Sequence, residues 1–262
     1  MRLVEIDDAA DPRLDDFRNL TDADVRPDRR GVVIAEGVNV VERLANSTYR
    51  MRAVIGVPER VDALRPTLES RDVPVYQVDK WRLSDVVGFR VTRGVLASAD
   101  RPPPLSSAAL LSGAERVAVL EGLNDFENLG SLFRNAAAFG VQAVLLDVRC
   151  ADPLYRRCVR VSMGHVLRVP FVVLPEGWPN SLRLLRDFTL LAMTPDASAT
   201  PLREITVPPR WAMLLGAEGP GLSADALAAA DVRVRIPMAE GVDSLNVATA
   251  AAVAFSHLAG CT

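Results

Sequence analysis

The N-terminal part of the chain alternates short apolar runs with apolar residues at helical spacing. Gly31–Ala45 takes on a helical spacing toward its end, whereas Arg52–Val57, Val73–Val78 and Gly94–Ala97 are short apolar runs typical of buried strands. About 100 residues are enough to form a core of their own. The pattern therefore predicts an N-terminal α/β module.

After residue 113 the pattern becomes more regular, and predicted strands alternate with predicted helices. The predicted strands are Val117–Leu120, Ala143–Asp147, Phe171–Leu174, Phe188–Met193, Trp211–Leu215 and Val232–Ile236. The predicted helices are Asn128–Phe139, Pro153–Met163, Ser181–Asp187, Ser223–Ala229 and Ser244–Leu258. This alternation predicts a mostly parallel sheet covered on both faces, with ligands bound beyond the carboxyl ends of its strands.

A proline-rich stretch separates the two parts. Ser98–Gly113 contains three consecutive prolines among small residues, which block helical and sheet hydrogen bonds and indicate a linker. We therefore predict a first domain over residues 1–97, a linker over 98–113 and a second domain over 114–262. The first domain begins with an acidic leader, residues 1–24.

Charge is unevenly distributed along the 262 residues. The chain has 33 acidic and 30 basic residues, a net charge of −3, and Lys80 is its only lysine. The leader holds eight acids against three arginines, so the rest of the chain is slightly basic. Two explanations of the arginine excess stay open: the codon usage of a GC-rich genome, and the fit of the planar guanidinium to phosphate.

Histidine and cysteine are scarce, which argues against several kinds of site. His165 and His257 are too few for a histidine-rich zinc site, they disfavour a Ser-His-Asp triad, and both are expected to be structural. The three cysteines form no CxxC pair. The acidic N-terminus does not resemble a signal peptide, and the longest uncharged stretch is too polar to span a membrane. We expect a cytoplasmic protein without a metal ion or a membrane segment.

Three loops that follow predicted strands carry the candidate chemistry. In the first, Asn128 suits a helix N-cap, and Gly130 and Arg134 lie four residues apart on one helix face, where the arginine is placed to meet an anion. The alternative is that Asn128 is only a cap and Arg134 only a surface residue. The loop therefore predicts an anion contact, with a purely structural interpretation beside it.

The second and third loops follow later strands. Three glycines around Glu218 allow a ligand to approach the backbone, although their spacing is not that of a dinucleotide-binding GxGxxG, and a tight turn before a helix capped by Ser223 is the alternative. In the third loop Ser244 suits the cap of the last helix, and the amide of Asn246 lies near the same helix N-terminus.

Taken in order, the three loops resemble the SpoU/TrmH family of S-adenosylmethionine-dependent RNA ribose 2′-O-methyltransferases. The matching motifs are NxGxxxR at 128–134, GxExxGL at 216–222 and IPMxxGxxSLN at 236–246. Arg160–Gly164 resembles the family's segment between its first two motifs. Glu36-Gly37 and Arg93-Gly94 are similar to an N-terminal substrate-binding module that many members carry.

The resemblance implies an α/β fold in which the C-terminal methyltransferase domain, a mostly parallel sheet, is tied into a trefoil knot. It also implies a smaller N-terminal α/β domain that binds the RNA substrate, S-adenosylmethionine as cofactor, and a homodimer whose active site draws on both subunits. The N-terminal module favours rRNA as the substrate. The alternatives are a tRNA 2′-O-methyltransferase and a non-catalytic RNA-binding or assembly protein of the same fold.

Matched position by position, the motifs also imply site residues. Those implied to bind the cofactor are Leu215, Gly216, Gly221, Ile236, Met238 and Leu245. Those implied to act in catalysis or to shape the site are Asn128, Arg134, Glu218, Ser244 and Asn246. Arginine groups, otherwise typical of a solvated basic face, are expected to contact RNA phosphate at Arg29, Arg30, Arg134, Arg156, Arg157 and Arg160. For Arg134 two roles stay open: a general base, and a cation that grips phosphate and the developing alkoxide.

Overall fold

The computed structural model describes residues 1–21, 31–174 and 177–259. Arg29 and Arg30, predicted to contact RNA, lie outside the described residues. Contacts between backbone positions divide the chain into two units. Unit 1 consists of Met1–Pro103 and Pro153–Arg168, and unit 2 of Pro104–Asp152 and Val169–Thr262.

Helices and strands alternate along most of the chain. The strands are β1 (Arg2–Glu5), β2 (Val32–Glu36), β3 (Met51–Gly56), β4 (Pro74–Gln77), β5 (Val95–Asp100), β6 (Arg116–Glu121), β7 (Ala143–Leu146), β8 (Phe171–Val173), β9 (Thr189–Met193), β10 (Thr200–Pro201), β11 (Trp211–Gly216) and β12 (Val232–Arg235). The helices are α1 (Val38–Ala45), α2 (Pro58–Leu68), α3 (Lys80–Val87), α4 (Ser107–Ser112), α5 (Phe126–Ala138), α6 (Arg156–Val161), α7 (Ala224–Ala229) and α8 (Val247–Leu258). Short 3-10 turns include Asn180–Leu185, where an α-helix was predicted.

Unit 1 contains a mixed sheet in the order β1-β4-β3-β5-β2. Strands β1, β4 and β3 are parallel, and β5 runs antiparallel to both of its neighbours. The stretch predicted over Gly31–Ala45 divides into β2 and α1 at Gly37, whose φ of +94° turns the chain between them. Buried apolar side chains from the sheet, α3 and the N-terminal 3-10 turn form the core, among them Phe17, Ile34, Ile55, Leu83 and Leu96.

The segment 153–168 packs within unit 1, which differs from the predicted division at residue 113. Helix α6 buries Cys158 and Val159. Arg156 Nη1 lies 2.8 Å from Glu36 Oε2, and its guanidinium lies 4.5 Å from the centre of the Phe89 ring. The predicted linker is also shorter, because β5 extends to Asp100 and α4 begins at Ser107. The burial of α6 and the ion pair between Arg156 and Glu36 explain why this segment belongs to unit 1. Neither feature changes the composition of the sequence, so neither was visible there.

Unit 2 contains a fully parallel sheet in the order β10-β12-β9-β11-β6-β7-β8. This confirms the expected α/β fold with a mostly parallel sheet. The central strands are apolar and covered on both faces; Val119, Leu145 and Leu214 are fully buried, and Trp211 stacks on Phe255 of α8 at 6.2 Å between ring centres. Parallel strands place the loops after β9, β11 and β12 at one edge.

Two helix caps differ from the prediction. Asp125, not Asn128, caps α5 by accepting a hydrogen bond from the Asn128 backbone N–H at 2.8 Å. Asn246, not Ser244, caps α8. Ser223 caps α7, as the structural alternative for the second loop expected. Several residues near each helix start are suitable cap types, so the sequence alone did not distinguish them.

Candidate active site

A cavity of about 500 Å³ opens at the carboxyl edge of the parallel sheet in unit 2. Loops after β9, β11 and β12 and the start of α8 surround it. All six residues predicted to bind the cofactor line it, namely Leu215, Gly216, Gly221, Ile236, Met238 and Leu245. Other residues that line the cavity were not predicted from the sequence, namely Met193, Thr194, Pro195, Ala217, Gly219, Val247 and Ala250. Met193, Thr194 and Pro195 lie at the carboxyl end of the predicted strand 188–193, where a parallel sheet is expected to bind ligands, so these three could have been predicted.

The loop from Gly216 to Leu222 folds tightly against its own root. The Gly221 N–H donates to the Ala217 carbonyl at 3.0 Å. A Cβ at Gly216 would lie only 2.2 Å from the Gly221 carbonyl carbon and 2.3 Å from the Leu222 nitrogen. Glycine is therefore required at 216 because the chain crosses over it, and positive φ angles at Gly219 and Gly221 complete the turn.

The Asn246 side chain joins the three sequence motifs. Its oxygen accepts hydrogen bonds from the Ala248 and Thr249 N–H groups at the start of α8, at 3.0 and 3.2 Å. Its amide nitrogen therefore faces the other way and donates to Asn128 Oδ1 and Glu218 Oε1, each at 2.7 Å. The helix N-terminus thus fixes the orientation of the amide that connects the first motif to the second.

The remaining two predicted catalytic residues are placed differently. Ser244 lines the cavity. Arg134 is exposed on α5 and is not among the lining residues, and its side chain makes no hydrogen bond or ion pair with any part of the chain that the structure describes. The structure therefore places Glu218, Ser244 and Asn246 at the cavity and connects Asn128 to them through Asn246, and it leaves the Arg134 guanidinium available.

A second polar cluster lies at the end of β7. Asp147 is buried and accepts hydrogen bonds from the Gly122 N–H at 2.9 Å and from Arg149 Nε at 2.7 Å. Burial alone would raise the pKa of Asp147, but these hydrogen bonds hold it below its ordinary value. The Cys150 thiol lies 3.2 Å from the same carboxylate. Burial, reinforced by that carboxylate, raises the pKa of Cys150 to about 12.

Arg156 is a correction to the predicted RNA contacts. Its side chain is only 12% exposed, and the ion pair with Glu36 occupies its guanidinium inside unit 1. Arg160 is more exposed and lies 3.9 Å from the same carboxylate, and Arg157 is exposed. A buried carboxylate requires a cation beside it, which accounts for the position of Arg156.

Unit 1 has a cavity of its own, about 310 Å³, which was not predicted from the sequence. Exposed Arg60 and Arg93 line it, together with Gly37 and the first residues of α1. The stem of Arg93 lies over Gly37 and that of Arg60 over Gly94, each about 3 Å from where a Cβ would stand. The dipeptide Arg93-Gly94 in the sequence could have indicated that an arginine lies close to a glycine turn here.

The described residues were also searched for membrane-spanning helices and for metal-binding groups. Residues 1–21, 31–174 and 177–259 contain no helix that is both long and apolar enough to cross a membrane. Those same residues include no group of three or more His, Cys, Asp or Glu side chains that could hold a metal ion.

Comparison with known proteins identifies the family. The model of the SpoU rRNA Methylase family matches residues 115–256, more than half of the chain. A Mycobacterium tuberculosis protein named an uncharacterized tRNA/rRNA methyltransferase is 51% identical over 259 residues, which cover 96% of this chain and 90% of the relative. The Bacillus subtilis 23S rRNA (guanosine(2553)-2′-O)-methyltransferase RlmP is 25% identical over 98% of this chain and all of its own length.

A solved structure shows the same fold. The AdoMet-bound rRNA methyltransferase from Sinorhizobium meliloti superposes with a TM-score of 0.81 and 23% identity, covering 98% of this chain and 97% of that one. The family match and the mycobacterial relative confirm the resemblance inferred from the three motifs. The chain therefore belongs to the SpoU rRNA methylase family of RNA methyltransferases.

Proposed function

We propose that this protein transfers a methyl group from S-adenosylmethionine to a ribose 2′-hydroxyl of rRNA. The carrying observation is the cavity in unit 2, where one amide, Asn246, joins the loops of all three motifs. The names of the Bacillus subtilis and Sinorhizobium meliloti proteins, one a 2′-O-methyltransferase of 23S rRNA and the other AdoMet-bound, support this choice of reaction and cofactor.

The residues of the cavity fit this cofactor. Its volume lies in the ordinary range for small-ligand sites, and its wall combines apolar side chains with a few polar groups. Leu215, Ile236, Met238 and Leu245 offer apolar surface to a nucleoside, and the bare backbone at Gly216 and Gly221 permits close approach. Bound there, S-adenosylmethionine supplies a methyl group on an electrophilic sulfonium. The Glu218 carboxylate adds a negative charge to the rim of the same cavity.

The polar residues around the cavity orient the reactants. Asn246 is held by the α8 N-terminus, so Asn128 and Glu218 keep fixed positions relative to the cavity wall. Ser244 adds a hydroxyl to the cavity wall. Such positioning is a large part of the catalysis required, because the reacting oxygen must approach the methyl group in line.

Arg134 completes the proposed site as a cation. A guanidinium stays protonated in proteins, so it is a poor general base. Its five N–H donors suit bidentate binding of a phosphate next to the target ribose, and its charge stabilises the developing alkoxide. The 2′-proton then passes to phosphate or water. That the described chain provides no partner for Arg134 supports this role.

We propose unit 1 as the RNA-binding unit. Arg60 and Arg93 flank its cavity, and Arg157 and Arg160 add positive charge on α6. Contacts between these arginines and phosphate predict an affinity that falls linearly with the logarithm of salt concentration. Arg156 is left out of this set because Glu36 occupies it.

We also propose a homodimer and a knotted C-terminal chain, as the family resemblance implies. Exposed apolar side chains at Val242, Leu245 and Val253 support a second copy as the partner of this segment. The strand order, with β9 lying between β12 and β11, supports the knot. Light scattering on the purified protein tests the dimer.

Methyl transfer from labelled S-adenosylmethionine tests the function directly. With purified rRNA we expect label at one ribose, detected as an alkali-resistant linkage, and we expect none with tRNA. Label on tRNA alone favours a tRNA enzyme. Binding of RNA without either label favours a non-catalytic assembly protein and contradicts the proposal.

Single-turnover rates of Arg134→Lys then separate the roles of Arg134. A lysine keeps the charge but loses the bidentate geometry, so we expect a rate at least tenfold below that of the wild type. Arg183→Lys, at an exposed arginine of unit 2, is the matched control and should keep the wild-type rate. An unchanged rate in Arg134→Lys contradicts any role that needs the guanidinium.

A further inference from the structure

Glu121 is a buried carboxylate just behind the cofactor cavity. It is the last residue of β6, its side chain is 4% exposed, and it is not among the residues that line the cavity. Oxygen Oε1 accepts hydrogen bonds from Trp178 Nε1 at 2.7 Å and from Arg149 Nη2 at 2.9 Å. Oxygen Oε2 accepts one from the Ser223 backbone N–H at 2.9 Å. A buried charge with three donors is costly to disturb.

These bonds connect both ends of the loop from Gly216 to Leu222. Glu121 stands directly opposite Gly216 in the pairing of β6 with β11. Ser223 follows the loop and caps α7 through its own hydroxyl, which accepts from the Ala226 N–H at 3.3 Å. Glu121 therefore lies beside the first residue of the loop, Gly216, and its carboxylate binds Ser223, the residue that follows the loop. In between lie four of the cavity's lining residues, Ala217, Glu218, Gly219 and Gly221.

The three partners are all donors, and this determines which side chain the position accepts. A carboxylate has two oxygens and only accepts, whereas the glutamine amide has one oxygen and one NH₂ group. In either orientation the NH₂ group of a glutamine would face a donor, either the Ser223 N–H or the Trp178 and Arg149 pair. Glutamine therefore matches glutamate in shape but not in hydrogen bonding here.

We propose that Glu121 is a positioning residue for the cofactor loop, and that it sets the affinity for S-adenosylmethionine without touching it. This inference rests on the proposed function. Because the hydrogen bonds of Glu121 to Arg149, Trp178 and Ser223 all lie within unit 2, we expect its loss to act on cofactor binding and not on RNA affinity. A role in stability alone would affect both equally.

Calorimetry of S-adenosylmethionine binding to Glu121→Gln tests the proposal. We expect the dissociation constant for S-adenosylmethionine to rise at least tenfold, with the KM for RNA within twofold and kcat at saturating cofactor within about threefold of the wild type. Asp147→Asn is the matched control, because Asp147 is a buried carboxylate that also binds Arg149 but makes no bond to the loop. It should bind the cofactor within twofold of the wild type.

A second pair of variants isolates the bond to the loop should Glu121→Gln fail to fold. Ser223 has φ of −62°, which proline adopts, so Ser223→Pro removes the N–H and sets a ring carbon against the carboxylate. Ser223→Ala keeps the N–H and loses only the cap. We expect weakened cofactor binding in Ser223→Pro and not in Ser223→Ala.

The outcomes distinguish this inference from the function on which it rests. A wild-type protein that does not bind S-adenosylmethionine overturns the proposed function and this inference together. If the wild type binds S-adenosylmethionine and Glu121→Gln binds it with the same affinity, only the inference is overturned. If Glu121→Gln does not fold, the same affinity in Ser223→Pro overturns it. Equal weakening in Asp147→Asn also overturns it, because the effect then belongs to the polar cluster as a whole.

Discussion

Gly216→Ala is the sharpest test of how the cofactor cavity is built. The added Cβ would lie 2.2 Å from the Gly221 carbonyl carbon, 2.3 Å from the Leu222 nitrogen and 2.4 Å from the Gly221 oxygen. Ordinary contact begins near 3.4 Å, so the crossing strand of the loop must retreat by about 1.2 Å. All three atoms belong to the backbone, and a change of rotamer therefore relieves none of the overlap.

The expected cost follows from that displacement. Overpacking of this kind costs about 1–3 kcal/mol of folding free energy. A shift of ~1 Å in a binding wall is also enough to lower activity on the order of 100-fold. We therefore expect Gly216→Ala to melt several degrees lower and to bind S-adenosylmethionine at least tenfold more weakly, as measured by calorimetry and thermal unfolding.

Gly113→Ala is the control for the glycine-to-alanine change itself. Gly113 has φ of −108° and open space where a Cβ would stand. It should keep the wild-type melting temperature and cofactor affinity. Wild-type affinity in Gly216→Ala would refute the reasoning, because the chain could then not cross position 216 as closely as the structure has it.

Two further predictions concern other parts of unit 2. Asn246→Ala removes the α8 cap and both hydrogen bonds to the neighbouring motifs. We expect denaturant unfolding to show a loss of about 0.5–2 kcal/mol in stability, and kcat to fall at least tenfold. An unchanged kcat would show that the amide does not orient the reactants. Cys150 should resist iodoacetamide at pH 8, because a thiol with a pKa of about 12 is almost wholly protonated there and only the thiolate reacts. We expect mass spectrometry to show that Cys150 is modified far more slowly than free cysteine. Equal rates would contradict the burial of this thiol beside Asp147.

The cofactor cavity was predictable because its residues are local to the motifs. Gly216, Ile236 and Leu245 were expected at the site from the resemblance, and parallel strands bring the loops that carry them to one edge. The contacts that join the motifs were not predictable in this way. Asn246 bonds to Asn128 across 118 residues, and it does so because Asp125 takes the cap position expected of Asn128. Nothing in the local spacing distinguishes these two cap residues.

The inward position of Arg156 was also not predictable from the sequence. A run of arginines predicts a solvated or phosphate-binding surface, and Arg157 and Arg160 remain compatible with that. The partner of Arg156 is Glu36, which lies 120 residues earlier in an apolar strand. Which arginine of the run turns inward depends on the helical phase of α6, and the sequence pattern does not reveal the carboxylate that it meets.

The two-segment construction of unit 1 has a consequence for synthesis on the ribosome. When Met1–Pro103 has emerged, the sheet of unit 1 still lacks α6 and the arginine that neutralises Glu36. About 65 further residues must be made, which takes on the order of 3 to 13 seconds at ordinary translation rates. During that interval the first part of unit 2 is already leaving the exit tunnel. A single cut at residue 103 does not separate the units for expression either, because it leaves Cys158 and Val159 without the surface that buries them.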